Sequence, residues 1–247
     1  MALRQQGIPV KIVYLGHRDG TAMMVHRNST IRSIKDLAGR TIAIPNRYSN
    51  QYLVLFKVLR DNGLSIKDIK IVEMPPPDMP AALYSKAVDA ITSGEPFMGQ
   101  TELDGFGRAL YQAKEVWPNF ISCVLVVRED AIKNQAEWVQ QMVDGIASSG
   151  QWLEGGMDHR MQAAEAVSKY YYNQHPRLLR YVLSEPPDRV TYANLALARK
   201  DFELIEGLAL EAGILKMPLR FEDYADTSFS DKAQGKGIRA YNWEEKK

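Results

Sequence analysis

Three short polar stretches hold the residue types in this chain best suited to chemistry. Asn46-Arg-Tyr-Ser-Asn50 sets amides, hydroxyls and one guanidinium in consecutive positions between an apolar strand pattern and an amphipathic helix pattern. Free N–H groups at the start of such a helix suit an oxyanion or carboxylate, and Arg47 could add a paired, charge-assisted contact. The plainer reading makes Ser49 or Asn50 the helix cap and leaves Arg47 in water. The two readings stand level for the stretch as a whole, and the plainer one leads for any single member. The second stretch, Ser93-Gly-Glu-Pro96, contributes Glu95. A carboxylate there does not suit a bare anion; it fits an amine or amide on a ligand, or a neighbouring arginine. A surface glutamate ahead of a helix-starting proline is an equal alternative. The third, Gly16-His-Arg-Asp-Gly20, reads as a loop from which His17 and Arg18 could reach a cleft, although a lone histidine between glycines is more often a solvated turn residue.

Catalytic and metal chemistries find little support. The histidines at 17, 26, 159 and 175 make no i, i+4 pair and no HExxH pattern. His159 and Asp158 fall near a helix start and are expected to be exposed. Ser49 lacks a Gly-x-Ser-x-Gly elbow, and no glycine-rich loop would cradle a phosphate. The single Cys123 rules out an intrachain disulfide and a cysteine zinc site, and its apolar run Ile121–Val127 predicts a buried, inert thiol. No catalytic residue, metal or cofactor is expected. Trp138, Trp152 and the run Tyr170–Tyr172 read as helix-packing aromatics, and Trp117 is the tryptophan best placed to face a cleft. Arg189, in Pro186-Pro-Asp-Arg189, fits either a contact with the first lobe of a two-lobed fold or, at least as well, a salt bridge within its turn.

The elements that must position these residues follow from periodicity and punctuation. Strands are predicted at Val10–Leu15, Thr21–Val25, Thr41–Pro45, Ile69–Met74, Val88–Thr92 and Ser122–Val127. Ser33 caps a single turn closed by Gly39. An amphipathic helix covers Gln51–Asn62 and stops at Gly63. Asp78 is placed to cap a helix over Met79–Lys86, and a helical portion is predicted around Leu110–Val116. The rest is helical: Ala136–Leu153, Met157–Tyr172, Pro176–Leu183 and Asp201–Leu215, with a polar, exposed tail at 228–247. Strands alternating with helices leave polar loops at their carboxyl ends, where small ligands bind.

The chain has 247 residues, enough for one large domain or two lobes, and a net charge of +1. A near-neutral chain without a basic stripe does not suit nucleic acid or a membrane surface. No apolar run reaches the ~18 residues of a membrane span. Met1–Pro9 lacks the apolar core of a signal peptide and reads as the last turn of a helix ending at Gly7.

The ordered phrases Ile34-Lys-Asp-Leu-Ala-Gly-Arg-Thr-Ile-Ala-Ile-Pro45, Asn62-Gly-Leu64, Ile69–Met74, Asp78–Leu83, Val88-Asp-Ala90 and Gly94-Glu-Pro96 carry a family likeness. Over roughly ninety residues their order and spacing resemble the solute-binding proteins of ABC transporters, in the nitrate, sulfonate and taurine group that also resembles the thiamine-pyrimidine precursor group. The resemblance implies an α/β fold, the type II periplasmic-binding clamshell. One lobe would be continuous over 28–122; the other would combine 1–27 with 123–227, joined by crossover strands at Thr21–Val25 and Cys123–Val127. It further implies a small anionic or zwitterionic solute held between the lobes by Asn46, Arg47, Tyr48, Ser49, Asn50, Glu95, His17 and Arg18. The partner would be a membrane permease, the location periplasmic or otherwise extracytoplasmic, and the state monomeric, with no enzyme activity. Family members begin with further strands and helices before the counterpart of Leu3–Pro9, so an upstream segment bearing the export signal is expected. Two alternatives remain: an enzyme of the thiamine-pyrimidine-synthase type, whose cysteine cluster Cys123 alone does not supply, and a truncated sensor or interaction module.

Overall fold

The alternating apolar and polar pattern between Thr21 and Gln112 builds one sheet, and a smaller sheet gathers strands from both ends of the chain. The computed structural model describes residues 1–170 and 174–233. Its strands are β1 (Val10–Asp19), β2 (Thr21–His26), β3 (Thr41–Ile44), β4 (Lys70–Glu73), β5 (Ala90–Gly94), β6 (Gly107–Gln112), β7 (Ile121–Arg128) and β8 (Val190–Thr191). The larger sheet has the order β4-β3-β5-β2-β6 and the smaller β7-β1-β8. β3 runs parallel to β4 and β5, as strands joined through helices do, whereas β2 runs antiparallel to β5 and β6.

Helices α1 (Ala2–Gln5), α2 (Asn50–Asp61), α3 (Met79–Tyr84), α4 (Phe97–Leu103) and α5 (Ala113–Val116) come first. After β7 follow α6 (Glu129–Asn134), α7 (Ala136–Glu154), α8 (Met157–Tyr170), α9 (Pro176–Ser184), α10 (Arg199–Glu211), α11 (Phe221–Tyr224) and α12 (Thr227–Ser230). Both faces of the larger sheet are covered. Met23, Val25, Ile42 and Ile44 join the core built on Leu55 and Leu59 of α2, while Met24, Ala43 and Ile91 pack with Met79, Leu83 and Met98. α2 forms where its apolar stripe dictates, burying Leu53, Leu55, Val58 and Leu59. The Ser49 hydroxyl caps it, accepting from the Tyr52 N–H at 3.2 Å.

β1 passes directly into β2 through Gly20, so one nearly continuous segment serves both sheets. Gly20 has φ +71°, and a Cβ there would meet Val190 Cγ2 at 2.8 Å. The chain returns through Trp117–Phe120 into β7. The two passages lie side by side, with the Asp19 N–H donating to the Phe120 carbonyl at 2.9 Å.

Several sequence expectations change. Gly16–Asp19 is strand rather than loop, because β7 and β8 flank it and supply its ladder partners. Leu110 lies in β6, and the helix there covers only Ala113–Val116, since β2 recruits Gly107–Gln112 as an edge. Cys123 is exposed, not buried, because β7 is itself an edge strand of the smaller sheet. Trp138 is 53% exposed and does not pack its helix, whereas Trp117 is buried edge-on against Phe120. His159 is half-buried and stacks on Trp152. Asp78 stands at the start of α3 but makes no side-chain cap. Tyr171 and Tyr172, and the tail beyond 233, lie outside the described residues.

Candidate functional site

The loop that follows β3 is shaped by its own side chains. Asn46 Oδ1 accepts from the Tyr48 N–H at 2.9 Å, and the Ser49 hydroxyl donates to the Asn46 carbonyl at 2.7 Å. This tight turn leaves Tyr48 66% exposed and turns Arg47 outward, where its Nε lies 3.2 Å from Glu73. Asn50 then points the other way and donates to the Ile121 carbonyl at 2.8 Å, tying the start of α2 to the start of β7. Gln51 donates to the Thr21 hydroxyl at 3.2 Å, and Thr21 Oγ1 lies 3.4 Å from Ser122 Oγ. A strip of uncharged polar groups therefore crosses from α2 to the seam between the two sheets.

The same loop borders two adjoining cavities. The polar one, of about 510 Å³, lies between Arg47, Tyr48 and Tyr52 on one side and Gln5, Gln6 and Lys216 on the other. It has no acidic lining residue, and Lys216 makes no ion pair among the described residues. The second, of about 210 Å³, reaches inward past Asn50 and is walled mainly by apolar side chains of α2, β7 and α10. Ala2, Tyr48 and Ile214 line both. Gln5 is held in place by donating to the Met217 carbonyl and accepting from the Lys216 N–H.

Of the residues anticipated from sequence, Arg47, Tyr48 and Asn50 line this groove, Asn46 and Ser49 shape the loop without lining it, and His17, Arg18 and Glu95 do not line it. Arg18 is sunk in protein with each of its three nitrogens engaged: Nε donates to the Asn194 carbonyl at 3.0 Å, Nη1 to the Asn119 carbonyl at 2.8 Å and Nη2 to Asp201 at 2.6 Å. Glu95 is equally enclosed. Its two oxygens accept from Arg189 Nη1 and from the Gly99 N–H, each at 2.7 Å, and Arg189 Nη2 reaches Glu102, also at 2.7 Å. The ion pairs of Arg189 do not stay within its turn: they cross to Glu95 and to Glu102 of α4. Burial pushes the Glu95 carboxyl above its ordinary range, against the pull of Arg189 and Gly99. For Arg189, burial acts downward, but the two carboxylates outweigh it and hold the guanidinium up.

His17 stands opposite Cys123 across β1 and β7 and tilts against Tyr192 with ring centroids 6.3 Å apart. Burial lowers its pKa, offset in part by backbone contacts at Arg18 and Asp19. Although Cys123 lies at the surface, the protein packed around it displaces enough water to raise the thiol pKa, with a hydrogen bond from Ser122 drawing it partly back.

Sequence reading missed Lys216, Gln5, Thr21, Gln51 and Ser122, whose roles depend on contacts far apart in the chain. It also missed Arg160, buried at 6% exposure, which donates to the carbonyls of Pro187 at 2.8 Å and Val190 at 3.1 Å and pairs with Glu154.

Comparison with known proteins agrees with this architecture. A riboflavin-binding protein, RibY, of Chloroflexus aurantiacus is 35% identical over 36% of this chain and 25% of its own. A putative aliphatic sulfonates-binding protein of Escherichia coli K12 is 25% identical over 78% of this chain and 60% of its own. The chain thus spans between a quarter and three-fifths of the length of these curated relatives. Among solved structures, the ligand-binding component of an ABC-type import system from Staphylococcus aureus superposes with a TM-score of 0.82, at 24% identity, over 96% of this chain and 78% of that one. The desulfurization enzyme DSZB shares the fold at a TM-score of 0.64 and 16% identity, over 91% of this chain and 79% of that one. The fold is that of the periplasmic binding proteins. Residues 1–168 match the model of the NMT1-like family, and the chain belongs to that family.

Proposed function

We propose that this chain is the solute-recognising part of an extracytoplasmic binding protein that feeds an ABC importer, and that its solute is a small anion or zwitterion. The observation that carries this reading is the groove at Asn46–Asn50, whose polar half is bordered by two cations, amides and tyrosines and by no carboxylate. Such a lining favours a negative group by charge and by donor count, and Arg47 can turn from Glu73 to meet it. The relatives' names, which cite riboflavin and aliphatic sulfonates, support an organic solute.

In this proposal the larger sheet with α2–α5 is one lobe, and the smaller sheet with α1 and α6–α12 is the other. The passages at Gly20 and Phe120 are the pivot. Closure would bring Arg47 and Tyr48 toward Gln5 and Lys216 and shed water from the solute, and a permease would read the closed form. Asn46 and Ser49 shape the loop, Asn50 fixes it to β7, and Arg18, His17 and Glu95 act as seam residues that set how the lobes meet. No described helix is long and apolar enough to cross a membrane.

Catalysis at Cys123 draws no support from its raised pKa, although the fold is shared with an enzyme. The test is a thermal-shift panel of nitrate, taurine, alkanesulfonates and carboxylates, with each hit followed by NMR. A raised melting temperature with the solute recovered unchanged is expected. A new product that depends on Cys123 would overturn the reading.

A further inference from the structure

The two lobes meet on both faces of the larger sheet. On the face covered by α2, α10 stands beside the groove, and the Arg60–Glu211 pair that joins the two helices is 42% and 52% exposed. An ion pair so open to water holds little. On the opposite face, where Met98 of α4 packs with Met24 and Ile91, the contact with α9 is tight. Gly99 lets the helices approach until a Cβ would stand 2.4 Å from Val182 Cγ1. Beside it Arg189 donates to Glu95 and to Glu102, each at 2.7 Å, and the Tyr181 hydroxyl donates to Glu102 at 3.4 Å. This joint also touches the pivot, since the Glu95 N–H donates to the Gly20 carbonyl at 2.8 Å. The passages at Gly20 and Phe120 form a two-stranded ribbon between the two joints. A ribbon bends toward its faces far more easily than within its plane, so a rotation that narrows the groove on α2's face widens the joint on α4's face. Bonds of 2.7 Å do not survive that movement, because one stretched to ~3.6 Å is no longer a hydrogen bond.

We propose that the α4–α9 joint, closed by Glu95, Arg189 and Glu102, is a latch behind the pivot that holds the groove open and so sets solute affinity without touching the solute. The inference rests on the two-lobed closure of the solute-binding reading and names what opposes it. Glu95 and Glu102 both belong to the larger-sheet lobe and repel each other in either form, whereas Arg189 reaches them from the other lobe. The triad therefore stabilises only the form in which α9 lies on α4. A solute that binds the closed form must break it first, and its apparent affinity falls with the share of molecules held open.

The experiment places spin labels at Lys67→Cys and Leu204→Cys, both exposed and one on each lobe, in a Cys123→Ser background. Their separation is measured by pulsed electron resonance on the full chain without solute. Glu102→Gln removes one bond of the latch, and Val182→Ala loosens the helix contact without touching a charge. Each should enlarge the population at short separation, by on the order of tenfold for Glu102→Gln, as the loss of one charge-assisted bond made in a single form implies. Glu211→Gln, on the groove side, should not enlarge it. Separations unchanged or lengthened in both latch variants while melting curves show the fold intact, or shortened as much by Glu211→Gln, overturn the inference. Calorimetry with nitrate, taurine and ethanesulfonate on the same variants separates the two readings. An anion that binds should bind tighter to Glu102→Gln by the factor the labels report, and an affinity unmoved while the labels shift overturns the control of affinity by the latch. If no anion binds while the labels still shift, the solute-binding reading falls and the latch stands.

Discussion

Arg189 shows how much one residue carries at the seam. Its side chain is 3% exposed and its more buried partner Glu95 6%, so solvent does not screen the pair. Removing the cation by Arg189→Met would leave Glu95 and Glu102 facing each other in protein with no counter-charge. A loss of ~3–5 kcal/mol is expected, as for other buried pairs stripped of one partner. Urea denaturation reads this directly, and a loss below ~1 kcal/mol would show that the triad is solvated in solution. His17 makes a pH prediction. Its folded pKa lies below the ordinary 6.5 because burial disfavours the imidazolium. The neutral ring fits both states above that value, so its full contribution is present there. As pH falls from 6.5 through the lowered folded value, the unfolded chain takes up the proton first and stability is lost. Melting temperature should therefore fall less steeply between neutral pH and pH 5 in His17→Gln than in the unaltered protein; parallel curves would place the ring in water.

At the scale of elements, the contact between α4 and α9 is the joint most sensitive to volume. A Cβ on Gly99 would lie 2.4 Å from Val182 Cγ1 and 2.9 Å from Glu95 Oε2, so Gly99→Ala should force the two helices apart and disturb the ion triad. Overpacking of this kind costs ~1–3 kcal/mol, and a melting temperature unchanged from the unaltered protein would contradict it. The strands and helices from Thr41 to Gly94 were legible in sequence because alternation, a capping serine and a closing glycine agree there. β1 was cut short at Leu15, because the glycines and charges of Gly16–Gly20 look like a loop until β7 and β8 supply partners. Cys123 misled in the opposite sense. Its apolar run does mark a strand, but whether a strand lies at the centre or the edge of a sheet is a long-range fact. In the site, the loop at Asn46–Asn50 was legible by residue type, while Gln5 and Lys216 were not, since they meet it only after the two ends of the chain pack together.

For the whole molecule, buried arginines tie the elements flanking the two passages at Gly20 and Phe120, and the backbone of the passages is left as the place to bend in the proposed closure. Arg18 fixes α10 to the passages, and Arg189 fixes the turn before β8 to α4. Bending is thus expected about the passages themselves, with the groove at Tyr48 as the gap that narrows. Small-angle scattering should show a reduced radius of gyration at saturating anion, and an unchanged radius would mean that recognition proceeds without closure. The central claim is that the groove between Arg47 and Lys216 receives an anion, and calorimetry on the double charge reversal Arg47→Glu, Lys216→Glu tests it most directly. Saturable one-to-one binding of at least one anion by the unaltered chain, abolished in the reversal at unchanged melting temperature, is the predicted result. Binding that survives the reversal undiminished would contradict the account.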